Sequence, residues 1–404
     1  MKRLKIILYF LLYAFYLFAQ DNKKIILGID RIQEFSFLFK NKKTGLITNQ
    51  TGINSAGESS IDILFKNVKL TALFSPEHGI RGAEPEGAII ENRIDSKTGL
   101  TVYSLYGKTK RPTDEMLKNI DISCFDIQDV GARFYTYIWT MAYAMEECAK
   151  HKKTFIVFDR PNPIGGINVE GNILDKEYKS FVGYFPIVQR HGMTVGELAQ
   201  LFNTEFKINC DLKIIPLKNW NRESFFDTQN LMWVPPSPNI PTPETALIYS
   251  GMCIFEGVNI SVGRGTTMPF QYVGAPFIDA EKLAAELNDL NLKGVFFLPA
   301  YFIPSRSIYK NEYCNGAQII VTNKKDFLPI RTAILMMDKI KKMYPKNFSI
   351  NNSNNKFCGL NLLTGTNILS SILLYGKIKL EDYLNLIKYD ENKFLNTRKK
   401  YLLY

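Results

Sequence analysis

Four short apolar runs in this chain end abruptly in polar clusters, and that repeated ending constrains the fold more than any other feature. They read "LITNQ", "ALFSPEHG", "SCFDIQDVG" and "IVFDRPNP". Between them lie stretches with helical spacing. In "SIDILFKN" and in Tyr135 to Lys150, where Ile138, Met141, Ala142, Met145 and Cys148 recur, apolar residues return every three or four positions. "TVYSLYG" adds a strand and "PTDEMLKN" a short helix. "IILGID" (25–30) and the following "IQEFSFLFK" read as an opening strand and helix. Alternation of this kind predicts an α/β fold built on a parallel sheet with both faces covered. Such sheets bind ligands beyond the carboxyl ends of their strands. The pattern therefore brings Asn49, Glu77, His78, Asp126, Asp129, Asp159, Arg160 and Asn162 to one edge.

The chain has 404 residues, enough for two domains. From about residue 219 the text changes, with prolines and loops in "WVPPSPNIPTPET" and "GMCIFEGVNISVGRGTTMPF". A smaller α/β domain over 219–404 follows a sheet domain over 21–218. Helices are expected at "DAEKLAAELNDL", at 330–343 and in the tail, with strands at "GVFFLP" and "GAQIIVT". Ahead of both domains, Lys2, Arg3 and Lys5 precede the apolar run Ile6 to Ala19. The run is short for a membrane span, and residues 1–20 read as a signal peptide. Export to the periplasm or the exterior is the expectation, with membrane association only if that segment is retained.

Composition narrows the chemistry. The formal charge is +11, which suits an anionic partner, but the lysines are scattered rather than clustered with aromatic residues as nucleic-acid binding would want. No G-x-G-x-x-G or P-loop supports a nucleotide cofactor, and no G-x-S-x-G supports a serine hydrolase. With three histidines and no H-E-x-x-H, neither metal nor cofactor is expected. The six cysteines form no C-x-x-C pair and read as small buried residues.

Carboxylate acid–base chemistry remains. Glycoside hydrolysis needs an acid at the leaving oxygen and a second group, or the substrate's own acetamido, across the ring. Glu77, just past a buried strand, is the acid expected, with burial raising its pKa. His78, its neighbour, points the other way if the chain is extended there, and orients substrate. His191 in "QRHGMT" either joins the site or caps the helix beginning near Thr194. Arg133, Arg160 and Arg264 are candidates to clamp a carboxylate, Arg133 first because it precedes the helix near Thr136. Tyr103, Tyr106, Tyr135, Tyr137 and Trp139 could stack on sugar rings. Two other readings stay open on these residues: a non-catalytic binder of cell-wall glycan, and a carboxylate–metal hydrolase using Asp126, Asp129 and Asp159.

The motifs "GLITNQTG", "LFSPEHGIRG", "SLYG", "FDIQDVGARFYTYIWTM", "DRPNPIGG", "RHGMTVGEL", "PPSPNIPT" and "GRGTTMPF" resemble, in order, those of the NamZ-type exo-β-N-acetylmuramidases. This is glycoside hydrolase family 171, also known as domain of unknown function 1343. The resemblance implies a Rossmann-like domain, a smaller α/β domain and an active site in the cleft between them. It implies release of terminal N-acetylmuramic acid from the non-reducing ends of peptidoglycan fragments. It also places on Glu77 the family's "SPEHG" glutamate, which is proposed as catalytic. The sugar's lactyl carboxylate would give the arginines and the positive charge a purpose.

Overall fold

The computed structural model describes residues 24–80 and 92–404. The expected signal peptide lies outside the described residues. Among the described residues, seven strands form the main sheet: β1 (Lys43–Thr48), β2 (Lys69–Ser75), β3 (Arg93–Ile94), β4 (Thr101–Ser104), β5 (Ile122–Asp126), β6 (Thr154–Phe158) and β7 (Asp211–Ile215). Their order is β3-β4-β2-β1-β5-β6-β7. Of these, only β3 runs antiparallel to its neighbour. Leaving it aside, the six parallel strands stand in the order third, second, first, fourth, fifth, sixth, which is the Rossmann arrangement with its switch point between β1 and β5.

Register aligns the strand ends. Ile47 pairs with Phe74, Thr48 with Asp126 and Phe125 with Val157, so the four polar clusters start side by side. The central strands are apolar and buried because helices cover both faces: all five residues of β5 are buried. The helix Tyr137–Lys150 lies on the sheet with ten buried residues along it. Trp139, fully buried, stacks on Phe202 with ring centroids 5.4 Å apart. Each large side chain so buried contributes about 1.5–3 kcal/mol. The helix Val195–Glu205 starts with a reciprocal cap: Thr194 Oγ1 accepts from the Glu197 amide and Glu197 Oε2 accepts from the Thr194 amide.

The opening expectation fails in one place. Residues 25–30 form no strand of the sheet. Ile26 makes a single bridge to Lys218, and a 3-10 turn follows at Ile29–Arg31. Gly28 lies against the Asp159 backbone, where a Cβ would come within 2.5 Å of the Asp159 nitrogen. The segment plugs the end of β6 instead of extending the sheet. "IQEFSFLFK" gives only the 3-10 turn Ser36–Phe39.

The second half carries a three-stranded antiparallel sheet, β8 (Tyr272–Ala275), β10 (Cys314–Val321) and β9 (Val295–Phe302), in the order β8-β10-β9. Helix Ala280–Asn288 packs on β9 and β10, Pro329–Met343 packs against that helix and against Pro243–Met252, and Leu380–Arg398 reaches back to the loops at Gly166 and Gly171 of the first half. Gly251 lets helix Pro243–Met252 approach the start of the next long helix, since a Cβ there would sit 2.0 Å from the Pro329 carbonyl oxygen. One continuous core joins the two halves, running from Trp139 and Phe202 through Leu247 and Ile254 to Met337. All six cysteines are free and buried.

Candidate active site

Between the two halves lies a cleft of about 340 Å³. The sheet domain supplies Glu77, His78, Tyr106, Lys110, Tyr135, Thr136 and Phe181. The second half supplies Tyr249, Cys253, Glu256, Arg264 and Phe270, and the intervening loop supplies Ser237 and Asn239.

Glu77 stands two residues past the end of β2, in a turn closed by the Gly79 amide donating to the Pro76 carbonyl. Thr136, just ahead of helix Tyr137–Lys150, donates its hydroxyl to Glu77 Oε2 at 3.0 Å. Tyr106 also hydrogen-bonds Glu77, and burial, then the neighbouring carboxyl, push its phenol up. The glutamate is half-buried and held between hydroxyls. His78 has φ 71°, so the chain is not extended here and the expected alternation does not hold. Glu77 and His78 both line the cleft, and His78 is buried.

Across the cleft, Arg264 Nε donates to Glu256 Oε1, and its guanidinium lies 5.0 Å from the Phe270 ring centre. The Cys253 thiol also reaches Glu256, at 3.6 Å. Arg264 is thus the one expected arginine that faces the cleft. Of the expected aromatics, Tyr106 and Tyr135 line it. Tyr135 meets Tyr249 edge-on at 5.7 Å, and Tyr249 meets Phe270 at 4.8 Å, which fixes that wall. Tyr103 packs on Phe74, the Tyr137 hydroxyl donates to the Pro236 carbonyl, and the Trp139 indole donates to the Arg133 carbonyl.

The remaining expected site residues form a buried layer instead. Asp126 takes a bidentate ion pair from Arg160, at 2.6 and 2.8 Å, and accepts from Ser60. Asp159, fully buried, accepts from Thr194 Oγ1, the Gly196 amide and the Tyr404 hydroxyl at 2.7–2.8 Å. Burial raises its pKa to about 7. Asn49 Oδ1 accepts from the Thr51 amide and hydroxyl, an Asx turn that finishes β1. Asn162 donates to the Met193 carbonyl and accepts from the Ile164 amide. Asp129 Oδ2 accepts from the Gly131 amide at 2.7 Å, and Gly131 takes φ 86° to make that turn. His191 Nε2 lies 3.7 Å from Asp129 Oδ2, while His191 Nδ1 accepts from the Met193 amide. His191 does not cap the helix, because Thr194 does.

Arg133 is the clearest correction. It is fully buried, and Nη1 donates to the Asn172 and Ile187 carbonyls while Nη2 donates to those of Leu363 and Thr364. Burial without a carboxylate partner lowers its pKa to about 9. It clamps the two halves together and does not line the cleft. Of the three aspartates of the carboxylate–metal reading, Asp126 and Asp159 are committed to protein donors and Asp129 accepts from the Gly131 amide through Oδ2, and no group of three His, Cys, Asp or Glu among the described residues is placed to hold a metal ion.

Sequence reasoning missed Lys110, Thr136, Ser237, Asn239 and Glu256. Only Glu256 had a signal, eight residues before Arg264 in the loop-rich "GMCIFEGVNISVGRG".

A Rossmann-like domain faces a smaller one across a cleft of carboxyl groups and aromatic rings, an arrangement able to perform acid–base chemistry on a sugar, and comparison with known proteins gives the class. Residues 44–244 match the family described as exo-beta-N-acetylmuramidase NamZ, N-terminal, and residues 247–404 match its C-terminal counterpart. The chain is 47% identical over 384 residues to the peptidoglycan beta-N-acetylmuramidase NamZ of Bacillus subtilis, covering 94% of this chain and 92% of that protein. Two crystal structures of DUF1343 family proteins from Bacteroides fragilis superpose on it. One has a TM-score of 0.87 at 39% identity, covering 94% of this chain and 99% of that one. The other has 0.72 at 33%, covering 95% and 99%. The chain belongs to the NamZ exo-β-N-acetylmuramidase family and is a glycosidase.

Proposed function

We propose that the cleft removes terminal N-acetylmuramic acid from the non-reducing ends of peptidoglycan fragments, with Glu77 as general acid. The observation that carries this is the placement of Glu77: among the expected carboxyl groups it alone stands in the interdomain cleft, oriented by Thr136 and Tyr106. Glu77 gives its proton to the glycosidic oxygen as the bond from that oxygen to the anomeric carbon breaks; water bonds the anomeric carbon and gives up a proton to Glu256, and exchange with solvent returns Glu77 to its acid form. Among the described residues Glu256 is the other carboxyl group lining the cleft, supplied by the opposite domain and ion-paired to Arg264. It fits the group that glycoside hydrolysis needs across the ring. The name of the Bacillus relative supports peptidoglycan as the source of substrate. Export is proposed on the N-terminal pattern alone, Lys2, Arg3 and Lys5 before Ile6 to Ala19.

The test is release of chromophore from a β-N-acetylmuramic acid glycoside by the purified protein. Release that Glu77→Gln abolishes supports the reading. Binding without release would make the cleft that of a glycan-binding protein.

A further inference from the structure

We propose that Lys110 is the residue that reads the lactyl carboxylate, the group distinguishing N-acetylmuramic acid from N-acetylglucosamine. This rests on the reading of the cleft as a muramic-acid site and names its specificity group.

The arginines are engaged elsewhere. Arg133 is spent on four carbonyls, Arg160 on Asp126, and Arg264 on Glu256. A guanidinium already neutralised by a carboxylate has little net charge to offer another. Lys110 differs. It lines the same cleft as Glu77, and its ammonium lies 3.9 Å from the Phe181 ring centre and 5.7 Å from that of Tyr106. Aromatic faces attract a cation through their quadrupole but carry no net charge, so they position the ammonium without neutralising it. Among the described residues no carboxylate forms an ion pair with it. The Glu77 carboxyl is near enough to act on it electrostatically. A sugar whose leaving oxygen meets Glu77 therefore has a cation within reach of its ring substituents. Lys110 is exposed, which puts that cation at the rim, where a substituent on the terminal sugar can remain partly solvated. The same exposure makes the interaction sensitive to salt.

The experiment uses the full chain and three chromogenic β-glycosides: N-acetylmuramic acid, its methyl ester, and N-acetylglucosamine. The quantity read is the ratio of kcat/KM between sugars, for wild type, Lys110→Met and Lys110→Arg. Met keeps an unbranched side chain of similar length without the charge, and Arg keeps the charge. Wild type is expected to favour the acid over its ester and over N-acetylglucosamine, and less so at high salt. Lys110→Met should lower that preference about tenfold, mostly through KM, as expected for loss of one charge-assisted contact. Lys110→Arg should retain most of it. A preference unchanged in Lys110→Met, or equal losses on all three sugars, overturns the assignment while leaving the muramidase reading intact. Should Lys110→Met not fold, the ester decides on wild type alone: acid and ester hydrolysed equally overturn the proposal. Wild type that releases no muramic acid overturns the muramidase reading and the proposal with it.

Discussion

Two polar layers lie one above the other at the ends of the parallel strands, built from the same residue types and doing different work. The lower layer contains Asp126 with Arg160, Asp159 with Thr194 and Tyr404, Asp129 near His191, and Arg133 among carbonyls. Its members are almost wholly buried, and most of their polar atoms bond within the protein, Asp129 Oδ1, Arg133 Nε and His191 Nε2 excepted. The upper layer, at the cleft, contains Glu77, Tyr106, Thr136 and Lys110 facing Glu256 and Arg264. Convergence on a sheet edge does not by itself make a residue part of the chemistry. What matters is whether its polar atoms are consumed by the fold or left facing the space where a ligand sits.

Mutations in the two layers should therefore act differently. The largest expected effect is at Glu77. Glu77→Gln should lose about 10²–10⁴-fold in kcat, the usual worth of a general acid, with little change in the urea midpoint. Near-wild-type turnover would remove the acid assignment. Glu256→Gln comes next, with a loss of roughly 10²-fold in kcat. If turnover is kept, Glu256 serves only as the counter-ion of Arg264.

In the lower layer, Asp126→Asn should behave in the opposite way. It leaves the buried Arg160 guanidinium without its charge partner, at a cost of about 3–5 kcal/mol in unfolding free energy. Activity per folded molecule should remain, as measured by single-turnover rates normalised to folded fraction. Loss of turnover in a fully folded variant would move Asp126 into the upper layer.

The two layers also differ in how they respond to pH. The folded pKa of Asp159 is raised to about 7 from an ordinary 3.8, so between those values the folded state keeps a proton that the unfolded state has released. Stability contributed at this site therefore falls as pH rises from about 4 to about 7. Melting curves of wild type should show this decline relative to Asp159→Asn, which cannot titrate. Parallel pH profiles in the two proteins would contradict it.

Elements with a strong period are legible in the sequence. The helices Ser60–Asn67 and Tyr137–Lys150 and the strands β1, β2, β5 and β6 fall where the pattern places them. Elements without one are not. Strand β7, Asp211–Ile215, is an edge strand with mostly exposed or half-exposed residues, so it carries no apolar run. Helix Pro243–Met252 is buried from Thr245 to Met252, and a helix covered on all sides shows no amphipathic spacing. Its Pro243 and the prolines before it also read as loop.

The sequence by itself determined the alternation of strand and helix, the row of polar strand ends and the place of Glu77 in that row. These follow from local chain chemistry, the run of apolar residues and the turn that stops it. Only the tertiary structure decided which polar groups remain available. Arg133 was spent when the helix Gly359–Thr364 brought the Leu363 and Thr364 carbonyls to it from 230 and 231 residues away. Glu256 and Arg264 entered the cleft because one core holds the second half against the first. Pairing partners so distant in sequence leave no mark on local spacing, and a polar residue's availability depends on those partners.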